Sequence, residues 1–215
     1  GLRAAAMLRL YDFVTSGNAW KVRLTLSHLD MPYERVEIDR TTTHTQSPDY
    51  RAINPLGLVP ALRLEDGRIL HDSSAIAFYL SEGTHLLPED GYGRAQVVQW
   101  LIFEQRYVCE TVGMARYIVK TLAEAEARAA ELAEVQRQGY EALDQLERHL
   151  EGRTFLVGES CTIADICNFV YVAMADQGAM DLTPYPALRA WVARLEALPG
   201  HVAMEAVPKP VLRLP

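Results

Sequence analysis

The chain has 215 residues, 49% of them hydrophobic and 23% charged, with 28 acidic against 21 basic side chains and a formal net charge of −7. This is a globular balance, long enough for one large domain or two small ones. No stretch gathers Lys and Arg on one face, which argues against nucleic acid as a partner, and no apolar run approaches the roughly 20 residues that cross a bilayer. The N-terminal GLRAAAML is followed by Arg9 and Asp12 rather than a sustained apolar region, so no signal peptide is expected. Cys109, Cys161 and Cys167 form no even disulfide framework and have no clustered histidines beside them. That usage predicts a reducing, cytoplasmic setting and no metal site.

Up to about residue 82 the chain alternates short apolar runs with helical patterns. LRLYDF (8–13) has strand character, AWKVRLTLSHLD (19–30) places Val22, Leu26 and Leu29 on one helical face, and YERVEID (33–39) alternates as a half-buried strand does. Strand, helix, strand predicts a parallel pair with a right-handed crossover. Between the first strand and the helix stand Thr15, Ser16, Gly17 and Asn18. Such residues cap a helix by accepting hydrogen bonds from its first N–H groups, and the same N-terminus, with about half a positive elementary charge, can hold an anion. In NPLGLVPALRLEDGRIL (54–70), VPALRL and RIL flank the turn signal Glu65-Asp66-Gly67, which predicts a hairpin added to the same sheet. HDSSAIAFYL (71–80) then opens a helix at Asp72, Ser73 or Ser74.

Residues 83–93 are rich in turn formers and read as a linker, after which the pattern is helical to the end of the chain. Residues 94–120 keep a helical period, and 122–150 repeat Leu132, Val135, Leu143, Leu146 and Leu150 on one face, as a bundle member does. CTIADICN starts a third helix: Thr162 is its N-cap, Asp165 reaches back from the third position, and Cys161 and Ile166 can form the flanking apolar staple. Cys161 and Cys167 are thereby read as structural. PALRAWVARLEAL (186–198) is a shorter helix closed by Pro199-Gly200.

These motifs in this order, SGNAWKVRL, NPLGLVP, LHDSSAIAFYL and TIADI, resemble a cytosolic glutathione S-transferase over roughly residues 7–205. The resemblance implies an α/β thioredoxin-like domain (1–82) followed by an all-α, all-helical domain (94–215), a homodimer, and glutathione as co-substrate. Val59-Pro60 stands where such proteins place a cis proline, leaving the Val59 backbone to pair with an extended ligand. Asp72 and Ser73 stand where the γ-glutamyl end is held, Ser73 toward the carboxylate and Asp72 toward the ammonium group. Ser16 matches the catalytic serine of zeta-like and theta-like members, and Asn18 resembles the asparagine of nu-like bacterial members that reduce disulfides. A hydroxyl and an amide there can donate to the glutathione thiolate, and lowering a thiol pKa by about two units takes about 2.7 kcal/mol of preferential stabilisation. Tyr11, inside the strand, reads as packing.

Asp72 is shorter than the Glu or Gln that such families often show there, and the sequence departs from the family pattern in two further places. The SGNA turn has no cysteine, so any redox activity must use the glutathione thiol itself. Leu58 occupies a place where many relatives carry Lys or Gln for the glycyl end, and His44 or Arg40 is the candidate replacement. Tyr107, Met114, Arg116 and Tyr117 are the residues expected to offer apolar walls and one cation to a second substrate, a small hydrophobic electrophile or a disulfide. Conjugation is the leading expectation. A glutathione-dependent disulfide or peroxide reductase and a non-catalytic interaction module are the alternatives.

Overall fold

The computed structural model describes residues 6–39 and 44–214, the His44 side chain excepted. β1 (Leu8–Asp12), α1 (Gly17–His28) and β2 (Tyr33–Ile38) form the expected parallel pair. A short helix that the apolar pattern does not announce, α2 (Pro48–Ile53), begins where Ser47 Oγ accepts the Tyr50 N–H at 3.2 Å. β3 (Ala61–Arg63) runs antiparallel to β1 and turns through Glu65-Asp66-Gly67 into β4 (Ile69–His71). Gly67 adopts φ +90 there, a conformation glycine takes without steric cost. α3 (Ser73–Ser81) follows directly.

The sheet has a fifth strand. β5 (Leu212–Leu214) lies parallel on β2 and completes the order β4-β3-β1-β2-β5. The chain accordingly divides into one unit of residues 1–82 with 199–215 and another of 83–198. The tail expected to close the helical domain at 215 instead rejoins the sheet, because VLRL supplies strand hydrogen bonds to an otherwise open β2 edge.

Side-chain alternation along the strands makes two cores. Leu8 and Leu10 with Leu62 and Leu64 meet Val22 and Leu26 of α1 and Ile76 and Leu80 of α3. On the other face Tyr11, Val36, Ile38 and Ala61 pack on Tyr50 of α2. The expected single apolar face of α1 is too narrow a description. Residues 19–26 are all buried, Lys21, Arg23 and Thr25 included, and Leu29 is only half-buried.

In the second unit, α4 (Gly91–Phe103) is capped by Asp90, whose Oδ1 accepts the Gly93 N–H at 2.8 Å. The helix continues as a π-helical run, Glu104–Gly113, a single α turn, Met114–Arg116, and a second π stretch, Tyr117–Thr121. α5 (Ala129–Leu150) starts later than residue 122, since Ala123 takes φ +54 and breaks the winding. Leu143, Leu146 and Leu150 are buried as expected, whereas Leu132 and Val135 are half-buried. α6 (Ile163–Ala173) and α7 (Pro186–Glu196) complete the unit. At the start of α6 Thr162 Oγ1 accepts the Ala164 N–H at 3.2 Å and Asp165 Oδ2 accepts the Thr162 N–H at 3.0 Å, the reciprocal cap read from the sequence. Among the described residues no helix is long and apolar enough to cross a membrane.

Candidate active site

The turn between β1 and α1 is tightly held. The Ser16 N–H donates to the Phe13 carbonyl at 3.1 Å, the Ser16 carbonyl accepts the Trp20 N–H at 3.0 Å, and Ser16 Oγ accepts the Ala19 N–H at 3.1 Å. The capping role is therefore present. It uses an oxygen lone pair, and a hydroxyl that accepts this way still carries a proton to donate. Ser16 is buried at the first turn of α1, where the N–H groups and the helix dipole favour negative charge. Asn18 Oδ1 accepts from Lys21 Nζ at 2.8 Å. An ammonium only donates, so this contact fixes the amide with its oxygen toward Lys21 and its NH₂ turned the other way.

Charge is buried immediately behind this turn. Arg35 lies opposite Leu10 in the strand register and Glu37 opposite Asp12, so Asp12, Arg35 and Glu37 project from the face that carries α1, while the Arg9–Glu34 pair lies on the other. Asp12 receives Arg23 Nη1 on one oxygen at 2.5 Å and Arg35 Nε on the other at 2.7 Å. Burial pushes the Asp12 carboxyl up and the Arg23 guanidinium down, and the ion pairs oppose both shifts.

The Val59–Pro60 peptide bond is cis, and Val59 packs against the Tyr11 and Tyr50 core. The loop before it is anchored through its backbone: the Leu58 carbonyl accepts Tyr50 Oη at 2.7 Å and Asn54 Nδ2 at 2.8 Å, while the Leu58 side chain is 59% exposed. Gly57 takes φ +64 with the Thr45 carbonyl where a Cβ would sit, so no larger residue fits. Tyr11 is buried beside Tyr50, ring centroids 6.3 Å apart, in agreement with a packing role. His44 opens a short 3₁₀ turn, but its side chain and all of Arg40 lie outside the described residues.

Asp72 takes φ +75 and caps α3, its Oδ1 accepting the Ser74 and Ala75 N–H groups at 2.9 and 3.1 Å. Ser73 is buried as the first residue of the helix. Ser74 Oγ, which the sequence reading treats only as a possible cap, is buried without a hydrogen-bond partner.

Strand register brings these three segments together. Tyr11 pairs with Ala61 and Ala61 with His71, so the exit of β1, the entry to β3 and the exit of β4 share one end of the sheet. Neighbouring strands are about 4.8 Å apart, which places the three segments across about 10 Å, the span of an extended tripeptide.

The four residues expected to meet a second substrate all lie on the long helix 91–121 of the second unit. Tyr107 lines a groove of about 830 Å³ between that helix and α5, with Trp100, Phe103, Arg106 and His149. Its aromatic wall is continuous, Trp100 to Phe103 at 5.1 Å and Phe103 to Tyr107 at 5.5 Å, with the Arg106 guanidinium 5.4 Å over Tyr107. Met114, Arg116 and Tyr117 do not line it. Arg116 is buried and donates through Nε to Gln177 Oε1 at 2.8 Å, Tyr117 is exposed and Met114 half-buried.

Family models for the N-terminal domain and the C-terminal domain of glutathione S-transferase match residues 15–82 and 104–199. A glutathione S-transferase structure from Pseudomonas fluorescens Pf-5 superposes with a TM-score of 0.90 at 38% identity, over 92% of this chain and 98% of that one. The probable maleylacetoacetate isomerase 1 of Drosophila melanogaster is 31% identical over 83% of this chain and 73% of its own length. A Pseudomonas putida glutathione transferase, solved with one glutathione disulfide bound per subunit, superposes with a TM-score of 0.80 at 25% identity, over 91% of this chain and 89% of that one.

Proposed function

Because the chain belongs to the glutathione S-transferase family, we propose that it binds glutathione across the shared end of the sheet and joins it through its sulfur to a small hydrophobic electrophile. The observation that supports this reading is the register that brings the β1 exit leading to Ser16, the β3 entry after Val59-Pro60 and the β4 exit before Asp72-Ser73 to one end of the sheet, on strands that together span about the length of an extended tripeptide. In this assignment the Val59 backbone pairs with the cysteinyl residue, Ser73 and the α3 N-terminus hold the γ-glutamyl carboxylate, and the second oxygen of Asp72 faces its ammonium group. Ser16 donates its hydroxyl proton as a hydrogen bond to the sulfur, and the Asn18 NH₂, turned from Lys21, assists. The thiolate then attacks the electrophilic carbon: a carbon–sulfur bond forms, and the leaving group departs with the electron pair of the bond that breaks.

Calorimetric titration with reduced glutathione, with the thiolate absorbance followed in parallel, tests the binding step. The expected result is binding in the micromolar to millimolar range with thiolate present at pH 7. No heat at millimolar glutathione would remove the proposal and favour a non-catalytic module. A second reading, reduction of a mixed disulfide by the same thiolate, is supported by Asn18 and by the disulfide held by the Pseudomonas putida neighbour. Turnover of an aryl halide without turnover of a mixed disulfide would eliminate it.

The assembly proposed is a homodimer. Val98 and Ile102, 38% and 59% exposed and one turn apart on α4, form a short apolar stripe that a second copy would cover. Ile102→Glu places a charge in that stripe, and light scattering after size exclusion is expected to show a monomer where the wild type is dimeric. A variant with unchanged mass would place the dimer contact elsewhere.

A further inference from the structure

The Ser16 turn does not hold its place through its own bonds alone. Arg23, two helical turns along α1 and 2% exposed, reaches back with Nη1 to Asp12, the last residue of β1, and with Nη2 to the Val14 carbonyl at 3.0 Å. Val14 is an inner residue of the turn that the Ser16 N–H closes on Phe13. The same Nη2 also donates to the Met204 carbonyl, at 3.1 Å, in the tail that returns from the second unit. One planar guanidinium thus joins strand end, turn, helix and tail, a geometry its fork of donors permits and a single ammonium does not.

The tail is seated on α1 at two more points. Trp20 Nε1 donates to the Val202 carbonyl at 3.0 Å, and Gly200 lies so close to His28 that an added Cβ would fall 2.7 Å from the His28 Cα. The charged and titratable groups facing Arg23 are Asp12 on β1 and Arg35 and Tyr33 on β2. Arg35 occupies the other Asp12 oxygen and donates to the Pro208 carbonyl and to Glu37, with no bond to the turn.

We propose that Arg23 is a positioning residue, holding the Val14–Ser16 turn in register with the returned tail so that the Ser16 hydroxyl is aimed where the glutathione sulfur lies. The second half of that statement rests on the glutathione reading above; the first half does not. Arg23→Lys in the full chain keeps a cation against Asp12 and gives up the fork to Val14 and Met204. Arg35→Lys makes a matched loss at the same carboxylate and leaves the turn untouched.

Amide hydrogen exchange of the ligand-free protein is expected to speed up about tenfold at Val14–Gly17 in Arg23→Lys and to stay at the wild-type rate there in Arg35→Lys. The pH profile of kcat/KM is expected to move up by about one unit in Arg23→Lys alone, with the glutathione KM within about twofold of wild type. Arg23→Gln, which also removes the charge, should enlarge both effects. Wild-type exchange in the turn of both Arg23 variants, or an equal change in Arg35→Lys, overturns the inference. Faster exchange in a protein whose wild type binds no glutathione supports the positioning role and removes the glutathione reading.

Discussion

Ser16→Ala is expected to lower kcat/KM for glutathione conjugation by about 100-fold at pH 7, the cost of removing one donor aimed at developing or resident negative charge. The bound thiol pKa should rise by about two units, so that activity recovers partly in alkali. Glutathione affinity should change by less than about threefold, because the remaining contacts assigned to the tripeptide come from Val59, Asp72 and Ser73. The substitution also deletes the cap on the Ala19 N–H, which costs about 1 kcal/mol of stability. Ser16→Gly separates the two effects, since glycine at an N-cap loses only a few tenths of a kcal/mol relative to serine while lacking the hydroxyl. Equal losses of activity in the Ala and Gly variants, with unequal losses of stability, identify the hydroxyl as the working group. Full turnover in both Ser16→Ala and Asn18→Ala would leave Ser16 as a helix cap and nothing more.

Asp165→Ala is expected to lower the stability of the second unit by about 3 kcal/mol, read as a fall in Tm of about 6–12 °C. This carboxylate is fully buried, and three N–H donors converge on it: Leu156 and Trp191 Nε1 on Oδ1, both at 2.9 Å, and Thr162 on Oδ2 at 3.0 Å. Alanine leaves all three buried without an acceptor. Asp165→Asn keeps the Oδ1 acceptor but points an NH₂ at the Thr162 N–H, so about half the loss should remain. Burial pushes the Asp165 carboxyl up to about 6, against the donors that favour its charge. Its folded pKa therefore lies above the ordinary carboxylate value. The pH-dependent part of its contribution is therefore fully present below about pH 4 and is lost as pH rises through about 6, while the bonds from the three N–H donors remain at neutral pH. Asp165→Asn should flatten that part of the stability profile measured by denaturant titration. A Tm for Asp165→Ala within about 2 °C of wild type would show that the three donors find other partners.

What could be read from the sequence was mostly local. The Glu65-Asp66-Gly67 turn, the Asp72 cap and the Thr162–Asp165 box each lie within four residues, and each stands in the structure as its residue types imply. The parallel β1–β2 pair follows from strand and helix periodicity in the same way. The buried charges behind the turn have no such signature. Asp12, Arg23 and Arg35 are separated by 11 and 23 residues along the chain, and nothing in the alternating YERVEID says that its polar face is covered. β5 was hidden for the same reason, since three residues of VLRL make a strand only beside the edge they complete. On the long helix of the second unit, a 3.6-residue period does not orient side chains wound as a π-helix. Of the four residues named for the second substrate, Tyr107 alone reaches the aromatic groove. Lys21, three residues from Asn18, was within reach of sequence reasoning, because that spacing puts the two on neighbouring positions of one helix face.

The discontinuity of the first unit bears on the order in which the molecule is made. During synthesis the sheet, α1 and α3 leave the ribosome long before residues 199–215, with the whole helical unit translated in between. Until then the β2 edge is bare, and the guanidinium groups of Arg23 and Arg35 lack the Met204 and Pro208 carbonyls. Until residues 199–215 follow the helical unit, the sheet of the first unit has four strands and an open β2 edge, so the segment that completes this sheet is translated only after the whole helical unit.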